Sequence, residues 1–343
     1  MSREKSGSGD VGIKAIAKKL GVSASTVSRA LNEVSGIHPT TRKLVQETAK
    51  AMGYVPHLGA KQLVGKSSKM IGLFVPQFEF EASSGFIDMF APLQQALKGY
   101  GRDAIFFSVP FIGYTDNRLA ECINSRGLEG AIVFPAFSES HPIMKEALQL
   151  QVPCVNFENV VGPRCSSVIS DDREGGRAAG RKLLAEGHRI IGYVNGPPWV
   201  RVCEERYAGF REALTEADII HEANLVENGN FSGTSGSEAA IALWENNPRM
   251  TALFCANDLM AMGAMMAFSQ RGIKVPESIS VVGYDGDHFT AYTSPPLTTV
   301  RHPIREMSSR AAALVMELLE GGTGRRESVT PMLIERQTIA RWL

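Results

Sequence analysis

Residues Val22–Asn32 read VSASTVSRALN and follow directly on a glycine. Ser23 carries the short hydroxyl side chain that caps a helix N-terminus. From there Val27, Ala30 and Leu31 share one helical face, while Ala24, Ser25, Ser28 and Arg29 share the other. Just upstream, GIKAIAKKLG sets Ile13, Ile16, Ala17 and Leu20 at helical spacing, with Gly12 as a modest cap and Gly21 as the stop. Two short helices joined by a tight turn, the second capped by serine, form a helix-turn-helix. HPTTRKLVQETAKAMGY supplies a third helix with Pro39 in its first turn and Leu44, Val45, Thr48, Ala49 and Met52 on its inner face. The outward face of the second helix suits DNA. Short hydroxyls at a helix N-terminus bond phosphate oxygens without holding the helix off the duplex, and one guanidinium pairs with O6 and N7 of a guanine. A small bundle docking on protein fits the same spacing.

Charge separates the front from the rest. Residues 1–66 hold eleven Lys and Arg against four Asp and Glu, a balance of +7, and the remainder carries −7, so the chain of 343 residues sums to zero. A basic head on an acidic body points to a polyanion as the partner of the head. The opening MSREKSGSGD is polar and lacks the apolar core of a secretory signal, and the apolar runs have strand length; both lead to the expectation of a cytoplasmic protein without membrane spans. Residues 1–10 are expected to be disordered. Cys122, Cys154, Cys165, Cys203 and Cys255 show no CxxC spacing and read as buried free thiols in a reducing compartment.

Residues 57–66, within PHLGAKQLVGK, read as a linker. A helix over 58–64 is too short to hold alone, and Gly59 weakens it by ~1 kcal/mol relative to Ala. It is expected to fold on a partner, where Leu63 would act as an apolar wedge in a minor groove.

Beyond the linker, strand-like runs (MIGLFVP, AIFFSV, GAIVFP, PCVNF, SSVIS, IIGYVNG, ALFCAND, SISVVGYD) alternate with helical patterns such as 86–100, 174–186 and 259–270. This alternation predicts parallel sheets covered by helices, and the length favours two α/β lobes. Polar groups gather where strands end: Trp199 and Arg201 after VNG, Asn257 in CAND, Asp285 in GYD. Ligands bind at the carboxyl ends of strands in open α/β sheets. Carboxylate, amide and guanidinium groups, with aromatic faces such as Phe86 and Phe231, suit hydroxyl-rich molecules. A pentose, a hexose, a sugar acid and a nucleoside all satisfy that set. No G-x-S-x-G, P-loop or H-E-x-x-H is present, so an enzyme is not expected. The rivals are a sugar-binding protein without DNA function and an α/β enzyme using Asp285 as base.

Taken in order, IKAIAKKLGVSASTVSRALN, GYVPHLGAKQLVGKSSKMIGL, EGHRIIGYVNGP, RYAGFREAL, ANDLMAMGAM, ISVVGYD and PPLTTV resemble the lac/galactose repressor family. The resemblance implies an all-α helix-turn-helix head over residues 11–56, a hinge over 57–66, and an α/β body over 67–343. The body would have the two-lobed, periplasmic-binding-protein-like (type I) parallel-sheet fold. The lobes would comprise about 68–169 with 298–323, and about 170–297 with 324–343. It implies a ligand-responsive repressor of carbohydrate-utilisation genes that binds a palindromic operator as a homodimer, without cofactor or metal. Ala24, Ser25 and Arg29 would read bases, Ser23, Thr26 and Ser28 would hold phosphates, and Ala60 and Leu63 would enter the minor groove. Phe86, Phe231, Asn257 and Asp285 would contact the effector, with Arg206 in the R-x-x-G-F pattern and Trp199 and Arg201 in the neighbouring loop. Gly12, His57, Gly59 and Lys61 depart from the family's commoner residues, which implies weaker, more salt-sensitive operator binding.

Overall fold

The computed structural model describes residues 12–32, 34–54, 67–77, 84–110, 113–115, 117–135, 137–198 and 200–342. Ala60, Leu63 and the rest of the hinge lie outside them, as do Trp199 and residues 1–10. The chain forms two compact units, 1–68 and 69–343.

In the first unit, α1 (Ile13–Leu20) runs from Gly12 to Gly21, whose φ of 64° is the left-handed stop expected of it. Helix α2 (Ala24–Leu31) is capped by Ser23, whose Oγ accepts from the Thr26 amide at 3.0 Å. Helix α3 (Pro39–Ala51) has proline at its N-terminus. Ile16, Val27, Ala30 and Val45 are completely buried between the three helices, and Ala17 and Ala49 nearly so. Burying side chains of this size contributes roughly 1.5–3 kcal/mol each for the larger ones. Leu44, expected on the inner face, is 52% exposed. It precedes Val45, and the helical period allows only one of the two to face the core centre.

The second unit contains two six-stranded sheets. The first has strand order β11-β5-β4-β3-β1-β2, all parallel: β1 (Met70–Pro76), β2 (Asp103–Val109), β3 (Gly130–Val133), β4 (Cys154–Asn156), β5 (Cys165–Ser170) and β11 (Arg326–Val329). The second has order β12-β10-β9-β8-β6-β7: β6 (Ile191–Asn195), β7 (Val226–Asn228), β8 (Ala252–Cys255), β9 (Ser280–Asp285), β10 (Thr298–Arg301) and β12 (Met332–Ile334). Only β12 runs antiparallel to its neighbour.

Strand β1 shows why the sheets are double-faced. Ile71 and Leu73 pack with α4 (Ser84–Gly99) and α11 (Ile304–Leu319). Met70 and Phe74 pack on the other face with α5 (Arg118–Arg126) and α6 (Pro142–Gln149). An apolar run buried on both sides is the mark of a parallel strand. The second lobe packs Tyr193, Phe210, Phe254 and Phe268 at its centre. Its helices are α7 (Asp172–Ala185), α8 (Arg201–Glu216), α9 (Gly233–Asn246) and α10 (Asp258–Gln270). Ser232 caps α9, its side chain accepting from the Ser235 amide.

The lobe boundaries differ from the expectation at two crossings. Residues 298–301, expected in the first lobe, form β10 and pair with β9 in the second sheet. Residues 326–329, expected in the second lobe, form β11 and pair with β5 in the first. The chain thus crosses after β5, after β10 and after β11, each time at a strand end.

Candidate nucleic-acid interface and ligand site

The head presents Ser23, Ala24, Ser25 and Arg29 exposed, with Thr26 and Ser28 half-buried. Ser23 Oγ lies 2.7 Å from both Ser25 Oγ and Thr26 Oγ1, so the cap hydroxyls form one connected group at the positive end of the α2 dipole. Arg29 is already engaged: its Nη2 donates to the Ser35 carbonyl at 2.8 Å. Arg42 likewise donates to the Val34 carbonyl at 2.9 Å, so two arginines bind the turn between α2 and α3. A guanidinium reaching a base must leave that carbonyl or use its remaining donors.

In the body, Arg206 on α8 is 4% exposed and has a partner at every nitrogen. Nε donates to Asp172 Oδ1 at 3.0 Å. Nη1 donates to the Ala256 carbonyl at 2.6 Å and pairs with Asp285 Oδ1 at 3.2 Å. Nη2 lies 3.0 Å from His302 Nε2, which is itself 3.5 Å from Asp172 Oδ1. The guanidinium carbon sits 3.7 Å from the centroid of the Tyr284 ring. Two glycines make this approach possible. A Cβ on Gly209 would lie 1.7 Å from the Arg173 carbonyl oxygen, and one on Gly176 would lie 2.0 Å from that of Arg206. Backbones of α7 and α8 therefore touch, which sets Arg206 beside Asp172 at the start of α7.

Electrostatics follow from this packing. Burial raises the Asp172 carboxyl, but the Arg206 guanidinium and His302 outweigh it and hold it well below the usual carboxylate range. For Arg206, burial opposes the charge, yet Asp172 and Asp285 raise it further. Asp285 ends raised: burial dominates and Arg206 offsets only part. Its side chain keeps 24% exposure, and its φ of 110° is a left-handed conformation that few non-glycine residues hold.

The remaining expected residues divide. Asn257 caps α10, its Oδ1 accepting from the Met260 amide at 2.9 Å, and its Nδ2 donates to the Phe231 carbonyl at 3.0 Å. Phe231 is half-buried, also in the left-handed region at φ 70°. Asn257 therefore positions Phe231. Phe86 lies in the first turn of α4. Arg201 is drawn to Glu158 of the first lobe, Nε to Oε2 at 3.2 Å. Since Glu158 follows β4 and Arg201 follows β6, the carboxyl ends of the two sheets face each other. Asp172, His302 and Glu158 were not anticipated. Asp172 sits in the visible ISDD at a strand end, whereas His302 follows a strand too short to read from the sequence. A pocket of about 270 Å³ beside β2, lined by Phe106, Tyr114, Arg118 and Cys122 among others, contains none of the expected residues. Among the described residues, no cluster suits a metal ion and no helix is long and apolar enough to cross a membrane. Cys154, Cys165, Cys203 and Cys255 are buried free thiols and Cys122 is half-buried; burial pushes the Cys203 thiol up to about 12.

A helix-turn-helix joined to a two-lobed body with charged groups at its facing strand ends defines a class, the ligand-responsive DNA-binding regulators. The chain matches the periplasmic binding protein-like domain over residues 155–339 and the model of bacterial regulatory proteins of the lacI family over residues 12–57. It is 30% identical over 350 residues to the transcriptional repressor PurR of Pectobacterium carotovorum, covering 96% of each chain. It is 28% identical over 329 residues to the ribose operon repressor of Halalkalibacterium halodurans, covering 95% of this chain and 96% of that one. Its structure is similar to that of the lac repressor dimer bound to operator and the anti-inducer ONPF, with a TM-score of 0.83 at 26% identity, covering 97% of this chain and all of that one. The protein belongs to the lacI family of bacterial regulatory proteins.

Proposed function

We propose that this protein is a cytoplasmic repressor that binds a palindromic operator as a homodimer and answers to an uncharged, hydroxyl-rich ligand, a sugar in the first instance. The DNA-binding half rests on the α2 face. Ala24, Ser25 and Arg29 read bases, Ser23, Thr26 and Ser28 hold phosphates, and the hinge residues Ala60 and Leu63 enter the minor groove. The dimeric arrangement is supported by the likeness to the operator-bound lac repressor dimer.

The ligand class rests on one observation: Arg206 and Arg201 are both already paired with carboxylates. Three acids, Asp172, Asp285 and Glu158, face these two cations. A phosphate or sugar acid would have to displace a buried carboxylate, at the cost of leaving that charge without its partner. A polyol instead donates its hydroxyls to Asp285 and stacks an apolar face on Phe231. The relatives bear different names, the repressor PurR and the ribose operon repressor, so family membership alone leaves this choice open.

Selection of duplexes from a randomised pool with the full-length protein tests the first half. Enrichment of a two-fold symmetric site is expected, and a pool that stays random would overturn it. A thermal-shift panel of neutral sugars, sugar acids and sugar phosphates tests the second. Stabilisation by a neutral sugar is expected; stabilisation by the anionic compounds alone would contradict the charge argument.

A further inference from the structure

The ion pair between Glu158 and Arg201 has a role that ligand contact does not explain. Arg201 is the first residue of α8, after Val200, which provides no side-chain cap. A cation there faces the positive end of the helix dipole, so the position is unfavourable unless an anion compensates it. The anion comes from the other lobe. Glu158 is 10% exposed and its side chain reaches Arg201 at 3.2 Å, while Arg201 keeps 25% exposure.

The first lobe is built to hold that glutamate still. Its amide donates to Asn156 Oδ1 at 2.9 Å, and its carbonyl accepts from the Ser167 hydroxyl. Asn156 in turn donates Nδ2 to the Val160 carbonyl at 2.7 Å and the Ser166 carbonyl at 3.1 Å. A buried asparagine thus fixes the whole turn after β4. The Arg206 network, by contrast, is anchored on α7, α8 and β9 of the second lobe.

We propose that Glu158 and Arg201 form a strut between the lobes, and that this strut, rather than direct ligand contact, is the work of Arg201. The pair holds the facing strand ends at the spacing seen here and so sets the ligand-free balance between the two arrangements of the body. Arg201 is a positioning residue. The inference rests on the reading of the body as a ligand-switched unit.

The test is a charge reversal on the ligand-free, full-length protein. Glu158→Arg and Arg201→Glu each place like charges across the gap, and the double variant restores opposite ones. Small-angle scattering should show a larger radius of gyration for each single variant and the wild-type value for the double. Profiles unchanged in the singles, or a double as expanded as they are, would overturn the strut. On a duplex selected by the wild type, both singles should shift operator Kd in one common direction, roughly 3- to 30-fold, and the double should return to within about 2-fold. Shifts that simply multiply would remove the coupling. If a reversal unfolds the body, Glu158→Gln, Arg201→Gln and their double close the same cycle: coupling supports the strut and additivity overturns it. If the wild type selects no duplex, the DNA-binding reading falls, and scattering still decides the strut.

Discussion

Two arginines show how differently one side chain is used. Arg29 is exposed on α2, where its guanidinium donates to the Ser35 carbonyl at 2.8 Å. Arg29→Ala should cost ~1–3 kcal/mol of operator binding and relax one base position. Fluorescence anisotropy on single-base variants of the operator checks this, and an unchanged base preference would remove Arg29 from the reading face. Arg206 is buried with a partner at each nitrogen, so it organises Asp285 more than it greets a ligand. Asp285→Ala should abolish the ligand response and leave operator binding intact, as calorimetry and anisotropy together would show. Because burial raises the Asp285 pKa, and ligand hydroxyls prefer its ionised form, ligand affinity should fall as pH falls through that raised value. In Asp285→Asn, affinity should be pH-independent over the same range. Asp172 works in the opposite sense. Its folded pKa is depressed, so its stabilisation is present above its unfolded value of about 4 and fades as pH falls towards the folded one. The gap in denaturation midpoint between wild type and Asp172→Asn should therefore close on acidification. At this scale Asn257 and Asp285 were legible because each ends a recognisable strand-like run, and Arg206 only through the R-x-x-G-F pattern of the resemblance. Asp172 and His302 were not, since their meaning depends on Arg206, 34 and 96 positions away in the sequence.

Elements repeat the lesson with different causes. The Ser23 cap was legible because capping chemistry is local, and Ser23→Ala should lower the stability of the head by ~1 kcal/mol in thermal or urea unfolding. The contact of α7 with α8 was not legible, because GG in DREGG and the lone glycine of YAGF look alike whether they flex a helix or let another approach. Their close contacts give a sharp expectation. Gly209→Ala forces a methyl into the Arg173 carbonyl and should cost ~3 kcal/mol or more, with loss of ligand affinity as Arg206 shifts. Gly272→Ala, where nothing lies within 4 Å but φ is +72°, should cost only the ~1 kcal/mol of backbone strain. Long apolar strands such as β1 were readable from their composition. Strands β10, β11 and β12 are three or four residues each, and the first two are largely polar, so only sheet partners identify them. That is why the exchange of residues 298–301 and 326–329 between lobes escaped the sequence: strand order is a long-range property.

At the scale of the molecule, a head with its own small core and a two-lobed body share one chain, and the chain crosses between lobes three times at strand ends. On the proposed reading, the three crossings are where the lobes would turn against each other when a ligand binds at the facing strand ends. The size of the response then equals the difference in ligand affinity between the two arrangements. The most direct measurement is the operator affinity of the full-length protein on a symmetric duplex and on its scrambled counterpart, each with and without the neutral sugar that shifts its melting temperature. The account predicts a preference for the symmetric duplex that the sugar changes in wild type and leaves unchanged in Asp285→Ala. Equal affinity for both duplexes, or the same sugar effect in the variant, would contradict it.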